Sequence, residues 1–189
     1  METVASVLIG IGLSATCGFR IFVPLLVMSI TGQLDLLHLS PAFAWIQSTP
    51  ALIAFGVATA IEILAYLIPV VDNALNAVSI PLTVVAGIVI TAAVILDLNP
   101  FVTWTLAVIA GGGASLAGSA ASNILHGGST ATTGGAGNPI LSAVESVFSV
   151  IMSVLSVLVP LMAVLLLIIA GVFGVRVLKR IFRRRPATA

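Results

Sequence analysis

The chain consists of long apolar runs separated by short polar connections. Two clear runs are LTVVAGIVITAAVIL and LMAVLLLIIAGVFGV, in which threonine is the only polar residue type. A helix needs roughly 20 apolar residues to cross a bilayer, whereas a barrel strand would alternate apolar and polar residues over about ten positions. The pattern therefore predicts helical spans over six ranges, namely 4–30, 50–68, 80–96, 101–125, 139–159 and 160–178.

Turn chemistry marks most of the connections between these spans. The connecting segments read TGQLDLLHLSP, PVVDNALNAVS, DLNP and HGGSTATTGGAGNP, and their Gly, Pro, Asn and Asp residues are typical of turns and loops. The last two spans have no polar connection, so Pro160 marks either a tight turn or a kink in one long helix. Six spans would put both termini on one side of the membrane, whereas five would put Met1 outside.

Composition and charge support the membrane interpretation. Hydrophobic residues make up 60% of the 189 residues and charged residues 7%, where soluble domains carry roughly a quarter charged residues. Six of the seven Lys and Arg residues lie within 176–185, and basic residues beside a span stay in the cytoplasm. We therefore expect an all-α integral membrane protein, with one transmembrane domain over 1–178 and a basic cytoplasmic tail over 179–189. The basic tail can bind anionic lipid headgroups. The sequence has no second basic patch, so we expect no nucleic-acid partner.

The two halves of the chain, 1–98 and 99–178, resemble each other. STPALIAFGVATAIEILAYLIPVV in the first and GNPILSAVESVFSVIMSVLSVLVPLM in the second both open with a polar residue and a proline, as helices often do. Each carries one glutamate, Glu62 or Glu145. Three spans per half would make the second half enter from the opposite side, giving an inverted repeat like those of many transporters. The glutamates lie at different distances from the initial prolines, so chance similarity is the alternative.

The segment GFRIFVP resembles the first-helix motif, Gly-x-Arg-x-Phe/Tyr-x-Pro, of a family of small bacterial membrane proteins catalogued as domain of unknown function four-one-two-six. The resemblance extends over nearly the whole chain and implies a multi-pass location in the bacterial inner membrane, without supplying an activity. In the family's fourth span a His is followed by Lys or Arg, whereas His126 here is followed by GGSTATT. The residues that match the family's motifs are Gly18, Arg20, Phe22, Pro24, Pro69, Asp72, Asn138, Pro139, Ser142 and Glu145.

Arg20 stands alone in an apolar run, where an unpaired arginine would cost at least about 2.5–3.5 kcal/mol at the bilayer centre. We expect Pro24 to break the helix just beyond it and to free carbonyls that a guanidinium can bind. Either Arg20 binds an anionic or polar substrate group in a central cavity, or it forms a structural pair with Glu62 or Glu145. Glu62 shares a polar helix face with Tyr66 and is either the partner of Arg20 or a proton carrier.

The segment 111–139 is rich in small residues. Gly111, Ser115, Gly118 and Ser122 follow a helical small-x-x-x-small pattern that allows close helix packing. The uncharged Gly, Ser and Thr residues after His126 predict either a re-entrant loop that binds an anion beside the next helix start or a flexible linker. In that next helix Ser142, Glu145 and further serines form one polar face, which serves either a site or close packing.

Together these features predict a small membrane transporter or channel-like carrier, for an anion or an anionic lipid headgroup, with a central Arg/Glu site. The alternative is a non-transporting membrane scaffold or assembly factor whose buried charges are structural. Because we find no positioned nucleophile and no metal-ligand spacing, we expect no enzyme, catalytic residue, metal or cofactor. We expect membrane lipid, an unidentified small molecule or ion, and a second copy in a homodimer as partners. The predicted substrate-binding residues are Arg20, Glu62, Tyr66, Asn123, His126, Asn138, Ser142 and Glu145.

Overall fold

A computed structural model describes residues 2–66 and 68–183, and the side chains of 69–79 and of most residues after 173 lie outside that description. The described part of the chain is helical and contains no strand, which confirms the all-α prediction. The elements are α1 (Glu2–Cys17), α2 (Phe22–Gln33), a 3₁₀ helix (Pro41–Gln47), α3 (Thr49–Tyr66), α4 (Pro69–Val94), α5 (Pro100–Leu106), a π-helical segment (Ala107–Gly112), α6 (Gly113–Thr133), α7 (Asn138–Leu158) and α8 (Pro160–Arg183).

Three of the described helices are long and apolar enough to cross a membrane. They are Thr49–Tyr66, the continuous helix Pro100–Thr133 that joins α5 to α6, and Asn138–Leu158. The shorter apolar helices, of 10–17 residues, are Thr3–Cys17, Phe22–Gln33, Ile80–Val94 and Pro160–Phe173. Length and composition therefore support a membrane protein.

The first predicted span is two helices rather than one. The chain leaves α1 after Cys17 and enters α2 at Phe22, so the break covers residues 18–21 and lies before Pro24, the position at which we expected it. Pro24 instead lies in the first turn of α2, where a missing N–H costs nothing because that group has no intrahelical partner. Arg20 consequently lies in the link between the helices.

Two polar segments that we predicted as connections are largely helical. PVVDNALNAVS belongs to α4, which starts at Pro69 and continues through Pro81; the segment has no glycine to provide the left-handed residue that ends many helices. The predicted loop after His126 is likewise wrong over 127–133, where α6 continues. Hydroxyls there donate to the preceding turn, as Thr133 Oγ1 does to Ser129 O at 2.8 Å. The turn begins only at Gly134, whose φ of 64° ends the helix.

Pro160 marks a break between two helices. α7 ends at Leu158 and α8 begins at Pro160, with Val159 at φ −141° and ψ 70°. The tight-turn interpretation of Pro160 therefore applies, because Val159 has left the helical conformation. α4 in the first half likewise begins at a proline, Pro69, shortly after α3 ends at Tyr66.

Small residues bring the helices together around α1, which contacts α4, α6, α7 and α8. A Cβ on Gly18 would overlap the backbone of Gly118, and a Cβ on Gly111 would overlap Thr91. The small-residue stripe of α6 is therefore used for contacts inside the chain. A hydrophobic cluster fills the space between the helices, and its members include Leu13, Cys17, Met28, Ile46, Ile90 and Val94.

Candidate functional site

Arg20 is buried at the centre of the helix bundle, with 1% of its surface exposed. Its Nε donates to Ser146 Oγ at 2.9 Å and its Nη2 to the Ser142 carbonyl at 2.7 Å. Its Nη1 donates to the carbonyl of Phe19, in the link between α1 and α2, at 2.8 Å. The guanidinium therefore joins the break after α1 to the face of α7.

The ring of Tyr66 covers the guanidinium. Arg20 Cζ lies 4.2 Å from the ring centroid, within the roughly 6 Å that defines a cation–π contact. Tyr66 is itself buried at the end of α3. Three segments, namely the α1–α2 link, α3 and α7, thus meet at one positive charge.

Glu145 lies between two basic side chains. Its Oε2 is 3.6 Å from Arg20 Nη1, and its Oε1 is 3.6 Å from His126 Nδ1. Its Oε1 also accepts a hydrogen bond from Ser122 Oγ at 2.9 Å. The structure therefore forms the Arg20–Glu145 pair that the sequence left as one of two options.

Each ring nitrogen of His126 lies within hydrogen-bond distance of an oxygen atom. Nδ1 lies 3.1 Å from the carbonyl of Ser122, and Nε2 lies 3.2 Å from Ser142 Oγ. The side chain is buried on α6, one turn after Ser122. We call Arg20, Ser122, His126, Ser142, Glu145 and Ser146 the charged centre.

Glu62 binds the backbone of the broken helix. Its carboxylate accepts from the N–H of Ile21 at 2.7 Å and from that of Phe22 at 3.1 Å. These N–H groups lie at the positive end of α2, where a carboxylate is favoured. Glu62 is not an ion-pair partner of Arg20 within the described residues; it stabilises the start of α2.

Hydroxyl groups continue from the charged centre along α7 toward its C-terminal end. Ser149 Oγ donates to the Thr16 carbonyl at 3.4 Å, and Ser153 Oγ and Thr16 Oγ1 lie 3.0 Å apart. Ser156 follows on the same face against α1, where a Cβ on Gly12 would lie 2.8 Å from the Ser156 Cβ. The polar face predicted for this helix is therefore buried against α1.

The two predicted asparagines lie apart from the guanidinium contacts. Asn138, fully buried at the start of α7, donates through Nδ2 to Thr130 Oγ1 at 3.1 Å and so ties the α6–α7 turn together. Asn123 lies partly exposed on α6 and makes no side-chain hydrogen bond to the charged centre in the described part of the chain. Among the eight predicted residues, the structure brings together Arg20, Tyr66, His126, Ser142 and Glu145, with Glu62 at the adjacent helix start.

Ser122 and Ser146 contact the charged side chains but were not among the predicted site residues. Ser122 precedes His126 by four residues and Ser146 follows Ser142 by four, so helical spacing provided the signal.

In 2–66 and 68–183, no three His, Cys, Asp or Glu residues come close enough to form a metal site.

Comparison with known proteins agrees with the motif resemblance. Neither the curated proteins nor the solved structures contain a match to this chain. A family model described as a domain of unknown function (DUF4126) matches residues 7–180. The matched range includes the α1–α2 link with Arg20, Glu62 on α3 and Glu145 on α7. The chain therefore belongs to the DUF4126 family.

Proposed function

We propose that this protein is a small membrane carrier whose charged centre binds an anion, either a soluble one or the headgroup of an anionic lipid. The observation that carries the proposal is the buried Arg20–Glu145 pair inside a bundle of apolar helices. Ionisable groups inside membrane proteins are costly and are typically placed at substrate or ion pathways.

The geometry of the pair supports an exchangeable partner for Arg20. Charge-assisted hydrogen bonds are usually about 2.7–2.9 Å long, whereas Glu145 approaches Arg20 Nη1 only to 3.6 Å. The two charges compensate each other without a short bond between them. An anion that binds Nη1 directly would therefore replace a weak contact rather than a strong one.

A second observation supports a polar ligand near the helix break. Thr59 lies one turn before Glu62 on α3, and its buried hydroxyl has no hydrogen-bond partner among the described residues. Buried polar groups in native proteins are nearly all hydrogen-bonded. A ligand that reaches the start of α2 would supply the missing partner.

The expected topology has six spans in a bacterial inner membrane, with α1 and α2 sharing one span and α5 and α6 sharing another. The basic residues in the last turns of α8 and directly after it favour a cytoplasmic C-terminus. The first half then contains a span broken between α1 and α2, and the second a span with a π-helical segment. Each is followed by two helices that begin at or beside a proline, in the order expected of an inverted repeat.

A homodimer is expected to form through the outward face of α6. Gly113, Gly127 and Gly128 are exposed there, with no atom near the position of a Cβ. Small residues let transmembrane helices approach closely. Membrane lipid would cover the remaining apolar surface.

A scaffold or assembly factor is the second candidate, and a specific observation favours it. Three guanidinium nitrogens of Arg20 already donate to protein acceptors on α7 and in the α1–α2 link. Such a set of bonds fixes two helices relative to each other. In this alternative the charges determine helix register and no ligand enters.

Proteoliposomes separate the two candidates. One set of vesicles carries gradients of chloride, nitrate or phosphate, and the other contains fluorescently labelled phosphatidylglycerol whose movement between leaflets is followed by dithionite quenching. We expect transport in one of the two sets of vesicles. Its rate should be at least about tenfold lower in Arg20→Met, which corresponds to the loss of a contact worth about 1.4 kcal/mol. Arg176→Met is the matched control, since Arg176 is exposed on α8. Background rates in both sets for the unsubstituted protein would exclude these substrates.

A further inference from the structure

The position of Glu145 between His126 and Arg20 has a consequence for ion coupling. Each basic side chain lies 3.6 Å from a different oxygen of the same carboxylate. Only one of them, Arg20, carries a permanent charge, because guanidinium does not deprotonate in proteins. A proton on His126 would create a second cation that competes for Glu145.

The contacts of His126 are compatible with both protonation states. The Ser122 carbonyl can only accept a hydrogen bond, so Nδ1 carries the proton in the neutral ring. Nε2 then accepts from the hydroxyl of Ser142. When Nε2 gains a proton, it donates to the same oxygen and the hydroxyl hydrogen turns away. The described hydrogen bonds to both nitrogens are therefore kept.

The charge count of the surroundings favours uptake of one proton. With both carboxylates ionised and a neutral imidazole, Arg20, Glu62 and Glu145 sum to one negative charge. A net charge buried away from water is unfavourable. The described side chains of α2, α4, α5 and the π-helical segment contribute no titratable group. The titratable groups of the surrounding elements are Cys17 of α1, Arg20 of the link, Glu62 and Tyr66 of α3, and Glu145 of α7.

We propose that His126 binds a proton that draws Glu145 away from Arg20, so that one proton and one anion bind together. This proposal rests on the carrier function above and names its coupling ion. The proton enters from water and is held on Nε2, with no covalent bond otherwise made or broken. The anion then takes the place of Glu145 at Arg20 Nη1. Because coupling between two ligands is reciprocal, the anion in turn strengthens proton binding.

Nuclear magnetic resonance of the imidazole nitrogens tests the proton site without any transport assay. The protein carries ¹⁵N-labelled histidine and the substitution His38→Asn, which removes the exposed second histidine. It is titrated in lipid nanodiscs from about pH 5 to pH 9, the range in which histidine commonly changes charge. We expect the Nδ1–H form at high pH and the doubly protonated ring at low pH.

Variants and added anions show whether the proton is coupled to the neighbouring charges. Glu145→Gln should lower the pH of half-protonation by about one unit, which is tenfold in affinity. Glu62→Gln, which removes an equal charge from the α2 start, should lower it less. If the site binds soluble anions, replacing sodium gluconate by sodium nitrate in zwitterionic lipid should raise the pH of half-protonation by about one unit. A shift of that size corresponds to tenfold coupling between the anion and the proton. If the site takes a headgroup, phosphatidylglycerol nanodiscs should raise it instead.

The protein with only the exposed His38 replaced gives a decisive result by itself, so the test does not depend on the folding of a variant in the charged centre. An imidazole that stays neutral over the whole range, or that carries its single proton on Nε2, overturns the proton site. Protonation that responds to neither nitrate nor phosphatidylglycerol overturns the coupling. If His126 behaves in this way while the proteoliposomes transport anions, the carrier function stands and only the coupling is wrong. If His126 instead binds a proton as expected and the proteoliposomes show no transport, the proton site stands and the carrier function is wrong for these substrates.

Discussion

Glu145 Oε2 lies 3.6 Å from Nη1 of Arg20, and both side chains are almost fully buried. The two residues come from opposite halves of the chain, and their contact fixes the α1–α2 link against α7. Removing one member of a buried ion pair leaves the other charge without compensation, whereas removing both leaves a neutral site. This difference allows the effect of a substitution on folding to be separated from its effect on function.

The first prediction concerns stability. Arg20→Met should lower the free energy of unfolding by about 3–5 kcal/mol, because Glu145 becomes an uncompensated buried charge. Adding Glu145→Gln should restore a large part of that loss. Unfolding in mixed detergent micelles, followed by circular dichroism, measures both variants, with Arg176→Met as the control for loss of an exposed arginine. Equal stability of the single and double variants would show that the pair carries no coupling.

The second prediction concerns the start of α2. Glu62→Ala removes the acceptor for the N–H groups of Ile21 and Phe22, and leaving a buried donor unsatisfied costs about 1–3 kcal/mol. Glu62→Gln keeps one acceptor oxygen and should cost less. Hydrogen–deuterium exchange should therefore accelerate at these two amides, more in the alanine variant than in the glutamine variant. Unchanged exchange in both would mean that Glu62 does not hold this helix end.

The third prediction concerns close packing of α6 on α1. Gly118→Ala should destabilise the fold, because the new methyl group meets the Ala15 carbonyl and Gly18. Gly56→Ala, on α3 and outside the proposed dimer face, is the control, since nothing lies near its Cβ position. Alanine is a better helix former than glycine by about 0.8–1.0 kcal/mol, so the control should be neutral or stabilising. Thermal melting of both variants, followed by circular dichroism, compares their stabilities. Equal effects would contradict the packing.

The fourth prediction concerns topology. In a Cys17→Ala background, single cysteines replace the exposed residues Leu36, Asp97 and Ala136. With six spans and cytoplasmic termini, a membrane-impermeant maleimide should label positions 36 and 97 in intact cells. Position 136 should react only after the cells are opened. Labelling of 36 and 136 from the same side would contradict the six-span topology.

The helical architecture could be predicted because apolar runs and turn residues are local signals. The sequence also indicated that Arg20 needs an acidic partner, since burying an unpaired cation is costly. The choice of Glu145 over Glu62 depends on which helix faces the guanidinium. That arrangement follows from packing contacts such as the one between Gly18 and Gly118, which no local pattern specifies.

The errors have equally specific causes. Pro24 was expected to break the helix, yet a proline is tolerated in the first turn, and the true break lies before it. The Gly, Ser and Thr residues after His126 indicated a loop, but threonine hydroxyls that donate to the preceding turn are compatible with a helix. Glu62 was one of two candidate partners of Arg20, and the break created backbone donors that its carboxylate binds instead.

The central claim is that Arg20 binds an anion and does more than join two helices. The most direct test is transport by the double variant Arg20→Met with Glu145→Gln, in which the net buried charge is the same as in the unsubstituted protein and the fold is expected to persist. Its soluble-anion flux and its phosphatidylglycerol movement are measured beside Arg176→Met, after circular dichroism has shown that both proteins are folded. We predict background rates for the folded double variant and full rates for Arg176→Met. Full rates for the double variant would contradict the account.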